Sequence, residues 1–145
     1  MRLLEPRAEG VENGMAQKRV LVVDDNPDNL DSLSALLRLW GYQVDAAGDG
    51  KRALALSVTR RPHIVVMDLA LPGGDALDVI RQLKTEDDDV VVIAFSGWDH
   101  LEAAARGAGA DAFVLKPDLE SLQRLLAYRR GPAAQPAPLV AKRTA

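Results

Sequence analysis

Short apolar runs alternate with longer amphipathic segments along most of the chain. Four of the apolar runs end directly on polar or charged residues. Short apolar runs bounded by polar and turn residues are typical of buried parallel strands. In an open α/β sheet, ligands bind outside the carboxyl ends of the strands, so residues at these positions are candidates for a common site. The residues that follow the four runs are Asp24 and Asp25, Asp68, Ser96 and Lys116.

The apolar runs, together with one further short segment, predict five strands. The segment after the first strand has the signals of a helix, with Asn26 as N-cap, Pro27 at the first helical position and Gly41 at the stop. The predicted strands are Arg19–Asp24, Gln43–Ala47, His63–Asp68, Val90–Phe95 and Ala112–Leu115.

The segments between and after the strands predict five helices. Alternating strands and helices predict an α/β fold in three layers, with a parallel sheet covered by helices on both faces. The crossovers are expected to be right-handed. The predicted helices are Pro27–Leu39, Gly50–Thr59, Ala76–Thr85, Asp99–Arg106 and Leu119–Arg129, the last with Leu119, Leu122, Leu125 and Leu126 facing inward.

The two ends of the chain differ in composition from its middle. Residues 1–17 carry charge, two glycines and no periodicity, and residues 131–145 contain three prolines and several alanines. Segments of this composition are expected to be disordered. We therefore expect one domain over residues 18–130, followed by a tail too short to form a DNA-binding domain.

Length and composition narrow the class of protein. The chain has 145 residues, 48% of them hydrophobic, which is enough for one well-formed core. Its net charge of −3 provides no broad basic field, so we expect no nucleic-acid partner. It has no cysteine, and no apolar stretch approaches the roughly 18 residues that a membrane helix needs. Because no signal peptide is visible either, we expect a cytoplasmic protein without membrane association.

Four motifs stand at the ends of the predicted strands. They are V-L-V-V-D-D-N (Val20–Asn26), V-M-D-L-A-L-P (Val66–Pro72), A-F-S-G (Ala94–Gly97) and G-A-D-A-F-V-L-K-P (Gly109–Pro117). Together they resemble the receiver domain of two-component response regulators, in a single-domain form similar to the chemotaxis regulators. The resemblance covers about Lys18 to Tyr128.

The resemblance implies both a topology and an activity. The flavodoxin-like (βα)5 fold of chemotaxis-type receivers has the strand order 2-1-3-4-5, which places the first and third strands side by side. Receivers accept a phosphoryl group from the phosphohistidine of a sensor histidine kinase or a histidine phosphotransfer protein. Here the implied acceptor is Asp68. The chain would then signal by contact with a downstream protein and would not be an enzyme that acts on a separate substrate.

The acidic residues at the strand ends predict a metal site. Clustered carboxylates raise one another's pKa unless a cation intervenes, and a hard divalent cation such as Mg²⁺ prefers oxygen ligands. The resemblance implies Mg²⁺ bound by Asp25 and Asp68, with Asp24 acting directly or through water, and by the backbone carbonyl of Ala70. An acidic pocket without metal is the alternative.

The resemblance also assigns roles around the transferred phosphoryl group. Lys116 and Ser96 would stabilise its oxygens, and the Lys116–Pro117 bond would be cis. Ser96 would move toward the new phosphoryl group, while Phe113 rotates inward as the second switch residue. Plain core packing is the alternative reading of Phe113.

The sequence departs from the family pattern near the site. Serine replaces the usual threonine at Ser96, and the apolar residues Ala70 and Trp98 stand where polar side chains often help to place hydrolytic water. Ala76 occupies a position that is usually glycine, where a positive φ would cost alanine about 1 kcal/mol.

Three further interpretations concern partners and class. A haloacid-dehalogenase-type enzyme would also use an aspartate nucleophile, but it needs a second aspartate where this chain has Ala70. A phosphorylation-silent receiver that acts only as an interaction module is the other alternative. The face formed by helix four, strand five and helix five is a candidate homodimer surface.

Overall fold

The computed structural model of the chain describes residues 17–72 and 75–128. Within these ranges, five strands alternate with five helices, as predicted. The strands are β1 (Arg19–Val23), β2 (Gln43–Ala47), β3 (Ile64–Met67), β4 (Val91–Ser96) and β5 (Ala112–Leu115). The helices are α1 (Pro27–Leu39), α2 (Gly50–Arg60), α3 (Ala76–Glu86), α4 (Glu102–Ala108) and α5 (Leu119–Tyr128).

All neighbouring strands pair in parallel, in the order β2-β1-β3-β4-β5. This is the flavodoxin-like order 2-1-3-4-5 that the resemblance implies. The register aligns the strand ends, because Val23 pairs with Met67, Met67 with Ala94, and Ser96 with Leu115. The residues that follow these ends therefore share one edge of the sheet.

Two apolar clusters cover the two faces of the sheet. Alternation along β1 sends Leu21 and Val23 to one face and Val20 and Val22 to the other. Buried residues of α2, α3 and α4 complete the first cluster, and those of α1 and α5 complete the second. The predicted three-layer arrangement is confirmed.

The predicted inward position of Leu119 is wrong. Its side chain is 39% exposed, whereas Leu122 and Leu126 are fully buried. Leu119 is the first residue of α5, so it precedes the helical turns that pack against the sheet. Leu125 is half-buried against the apolar cluster that contains Leu122 and Leu126.

Several element boundaries differ from the prediction by one to three residues. β1 and β3 each end one residue before the aspartate, and β4 extends to include Ser96. The fourth helix begins with a 3-10 turn over Asp99–Leu101 and continues as α4 to Ala108. It ends at Gly109, whose φ of 119° lies in the left-handed region that favours glycine.

The backbone at the N-terminus of α3 shows whether Ala76 has the positive φ that its glycine-like position could require. This residue is the first of α3, is helical and is buried. Among the described residues, Arg61 is the non-glycine residue with positive φ. Ala76 therefore carries no left-handed strain.

The predicted disordered segments lie outside the described residues, apart from Gln17. None of the helices in the described ranges is long and apolar enough to cross a membrane.

Candidate functional site

The carboxyl edge of the sheet brings together the polar side chains predicted from the strand ends. Asp24 follows β1, Asp68 follows β3, Ser96 ends β4 and Lys116 follows β5. The backbone remains tied to the sheet beyond the strands, since the Asp68 N–H donates to the Val23 carbonyl at 2.9 Å. The polar groups are therefore held in fixed positions by the parallel ladder.

Three carboxylates converge at this edge. One carboxylate oxygen from each of Asp24, Asp25 and Asp68 lies within 4.8 Å of the others. The side chains of Asp24 and Asp68 are only 6% and 10% exposed, whereas Asp25 is exposed. Two of the carboxylates thus lack most of the water that would screen their mutual repulsion.

Lys116 places an ammonium group between the two buried carboxylates. Its Nζ lies 3.3 Å from Asp24 Oδ2 and 3.7 Å from Asp68 Oδ1. The same Nζ lies 5.6 Å from the centre of the Phe95 ring, within range of a cation–π contact. The bond that joins Lys116 to Pro117 is cis, as the resemblance implies.

Opposing interactions act on the Asp68 carboxyl. Burial is the largest and raises its pKa, because desolvation disfavours the charged form. The Ala70 N–H, which donates to Asp68 Oδ1 at 3.1 Å, and the Lys116 ammonium both lower the pKa, while the Asp24 carboxylate raises it. The pKa of Asp68 is raised overall.

Ser96 is fully buried at the end of β4 and is linked to the following loop. Its Oγ accepts a hydrogen bond from the Trp98 N–H at 3.0 Å, and its carbonyl accepts one from the Lys116 N–H at 2.8 Å. A hydroxyl that accepts one hydrogen bond can still donate its own proton. The Ser96 hydroxyl therefore keeps its own proton for donation.

A family model of the response regulator receiver domain matches residues 20–127. The chain belongs to the response regulator receiver family. It is 37% identical over 130 residues to the transcriptional regulatory protein PrrA of Mycobacterium tuberculosis, an alignment that covers 86% of this chain and 56% of PrrA. The chain spans about half the length of the curated relatives it matches.

Two solved structures of response regulators share this fold, and each contains bound ligands. The response regulator TrrA of Thermotoga maritima, in complex with Mg²⁺-BeF, is 28% identical with a TM-score of 0.72, covering 77% of this chain and 97% of TrrA. A response regulator from Burkholderia pseudomallei, with a phosphorylated aspartic acid, a calcium ion and citrate, is 28% identical with a TM-score of 0.68. That alignment covers 73% of this receiver and 64% of the Burkholderia chain.

The donor atoms in this receiver fit a hard divalent cation. Three carboxylates offer oxygen ligands. Two of them are so buried that water cannot screen their negative charge, which a cation would neutralise. Ala70, the predicted backbone ligand, lies exposed two residues after Asp68. Ligation by its carbonyl stays a prediction.

Phe113 lies on β5 of this receiver and is half-buried against the cluster that includes α3 and α4. The contact agrees with core packing, and the predicted switching role of Phe113 and Ser96 stays a prediction.

Two contacts of the site were missed by the sequence analysis. The Asn26 N–H donates to Asp24 Oδ1 at 2.9 Å and so fixes the direction of that carboxylate. An aspartate followed two residues later by a backbone donor in a turn is a recognisable pattern that could have predicted this bond. No sequence pattern predicts the contact between the Phe95 ring and Lys116, because the two residues lie on different strands or strand ends.

Proposed function

We propose that this receiver accepts a phosphoryl group from the phosphohistidine of a sensor histidine kinase or histidine phosphotransfer protein. The acceptor is Asp68. The observation that carries the proposal is the convergence of Asp68 with two further carboxylates and the Lys116 ammonium at one edge of the sheet. The phosphorylated aspartic acid in the response regulator from Burkholderia pseudomallei supports it.

Asp68 is the nucleophile in this proposal. Its carboxylate attacks phosphorus in line with the leaving group, and the charge on the transferred oxygens needs more stabilisation than covalent assistance. Lys116, which lies 3.7 Å from Asp68 Oδ1, supplies one positive partner, and the Ser96 hydroxyl supplies a hydrogen-bond donor. These three residues are the catalytic group of the site.

Mg²⁺ is the proposed cofactor, held by Asp24, Asp25, Asp68 and the Ala70 carbonyl. When bound, it would neutralise charge on the phosphoryl oxygens. Asp25 is exposed and open to an incoming cation, while Asp24 is oriented by the Asn26 N–H. The Mg²⁺-BeF complex of TrrA supports this choice of cation.

The chain is proposed to turn over no separate substrate. Its chemistry consists of its own phosphorylation and a slow loss of the phosphoryl group. Signalling then proceeds by a phosphorylation-dependent contact with a downstream protein in the cytoplasm and not with nucleic acid, through a surface of residues 18–130. The partially exposed Leu115 and Leu119 at the β5–α5 junction make the α4–β5–α5 face a candidate homodimer surface.

Labelling with radioactive phosphate from a phosphorylated histidine kinase or acetyl phosphate tests the proposal. We expect Mg²⁺-dependent labelling of the wild type and none of Asp68→Asn. Asp88→Asn, the same substitution at an exposed aspartate, is the matched control and should label normally. Acid-labile phosphate on Asp68→Asn, or full-rate labelling in excess chelator, would contradict the proposal.

A further inference from the structure

A small cleft lies between the C-terminal ends of α2 and α3, at the amino edge of the sheet and away from Asp68. Its volume is about 70 Å³. Sites for small molecules usually measure roughly 300–1,000 Å³, so this α2–α3 cleft is suited to side chains of another protein and not to a free ligand. Its lining includes Val58, Arg61, Leu83, Glu86, Asp87 and Val90.

The two walls of the α2–α3 cleft carry opposite charges. Arg61 follows α2 on one wall, and Glu86 and Asp87 end α3 on the other. All three side chains are exposed. None of the three forms an ion pair with any other residue in the described ranges. Both walls therefore offer charged groups to a partner.

The acidic wall stands where negative charge is unfavourable. Glu86 is the last residue of α3 and Asp87 is its C-cap, and the carbonyl groups at a helix C-terminus already carry partial negative charge. Lys84 is engaged elsewhere, because its Nζ donates to the Val90 carbonyl at 2.6 Å and pairs with Asp111 at 2.9 Å. A cation from outside the chain would relieve this excess of negative charge.

The basic wall is fixed through the backbone of Arg61. Its φ of 51° lies in the left-handed region, where glycine is the usual residue after a helix. The Arg19 guanidinium holds the Arg61 carbonyl, with Nε at 3.1 Å and Nη2 at 2.8 Å. A charged side chain is thus kept on a rigid backbone at a position where glycine would be less strained.

We propose that the α2–α3 cleft is an interface between two copies of this chain, with Arg61 of each copy paired with Glu86 and Asp87 of the other. A patch that carries both charges is complementary to itself under two-fold rotation. A purely acidic or purely basic partner would be repelled by one of the two walls. Val58, which is 59% exposed in the same cleft, would lose water in the contact.

Sedimentation equilibrium of the full chain at low and high salt tests this interface. We expect weak self-association of the wild type that declines as salt screens the charges. Arg61→Glu and Asp87→Arg each place like charges opposite one another and should raise the dissociation constant about tenfold or more. An equimolar mixture of the two variants should recover at least the wild-type affinity, because each altered side chain then meets the opposite charge.

Two controls separate this pairing from general effects of charge. Arg52→Glu makes the same change of charge at an exposed position near the start of α2, and it should leave the dissociation constant nearly unchanged. Asp87→Arg reduces the net negative charge of the chain, so weaker association of this variant cannot come from greater overall repulsion. Recovery in the mixture also shows that both variants are folded.

Four results would overturn the inference. They are a wild type that stays monomeric at millimolar concentration, association that does not respond to salt, a mixture as weak as the single variants, and an equal loss in Arg52→Glu. Leu119→Lys distinguishes the α4–β5–α5 face from the cleft. Association that is lost in Leu119→Lys but kept in both cleft variants would place the contact on that other face and would likewise overturn the inference.

Discussion

At the scale of single residues, the site is dominated by the two buried carboxylates of Asp24 and Asp68 and by the Lys116 ammonium group. Lys116 compensates part of the charge of Asp24 and Asp68, yet burial still raises the pKa of Asp68. A bound cation would add the compensation that Lys116 alone does not provide. The two residues that the family pattern places near a hydrolytic water offer it little, because Ala70 has no polar side chain and the Trp98 indole can donate but not accept a hydrogen bond.

The phosphorylated form should therefore be long-lived for a receiver. Ala70→Asn and Trp98→Glu each introduce a side chain able to orient water toward phosphorus. We expect at least one of them to speed dephosphorylation about fivefold, the equivalent of one hydrogen bond worth about 1 kcal/mol. The rate is measured as loss of label after the donor is removed. If both variants keep the wild-type rate or lose phosphate more slowly, the explanation is wrong.

A buried hydroxyl on α1 provides a prediction about stability. Ser34 is 3% exposed, and its Oγ has no hydrogen-bond partner in the described part of the chain. Ser34→Ala removes this unsatisfied group and improves helix propensity, so it should stabilise the fold by about 1 kcal/mol. Urea denaturation measures the change.

The matched control for that variant is Ser32→Ala. Ser32 lies on the same helix but is exposed, so only the gain in helix propensity applies. We expect it to stabilise less than Ser34→Ala. A destabilised Ser34→Ala would mean that the hydroxyl is satisfied in solution.

At the scale of elements, the sequence predicted the strands and the site together for one physical reason. Parallel strands buried on both faces are short apolar runs, so their ends are visible where the first polar residue follows, as at Asp24 and Asp68. Helix boundaries were predicted well where a cap residue marks them. Asn26, for example, accepts hydrogen bonds from the N–H groups of Asp28 and Asn29.

Features set by packing between elements were not predictable in this way. The start of the fourth helix lacks a side-chain cap and begins as a 3-10 turn. Leu119 has the spacing of an inward leucine, but it is the first residue of α5 and its side chain is exposed. The roles of Lys116 and Ser96 in transfer, and of Phe113 in switching, were inferred from the family resemblance, and they stay predictions until they are measured.

At the scale of the whole molecule, Arg19 and His63 form a hydrogen-bonded contact at the end of the sheet opposite the site. The Arg19 N–H donates to His63 Nδ1 at 3.0 Å, and the His63 N–H donates back to the Arg19 carbonyl at 2.9 Å. The acceptor role requires an unprotonated Nδ1. Burial, followed by the charges of Arg19 and Lys18, lowers the pKa of His63.

This contact predicts a loss of stability in mild acid. The lowered pKa of His63 means that the unfolded chain binds a proton more readily than the folded one. The contribution of His63 to the stability of the fold is complete above the ordinary histidine pKa of about 6.5. It is lost as the pH falls from there toward the lowered pKa of the folded state. Urea midpoints across this range should decline less in His63→Asn, whose amide oxygen can accept the Arg19 bond without titrating. An equal decline in both proteins would rule out His63 as the cause.

Chemical mapping of the phosphoryl group decides whether Asp68 is the acceptor. The full chain is phosphorylated in Mg²⁺ and treated with borohydride, which reduces an aspartyl phosphate to homoserine, and its peptides are then sequenced by mass spectrometry. We expect homoserine at position 68, with aspartate unchanged at positions 24 and 25. Homoserine at position 24 or 25 with position 68 intact, or phosphate retained on a hydroxyl or histidine, would contradict it.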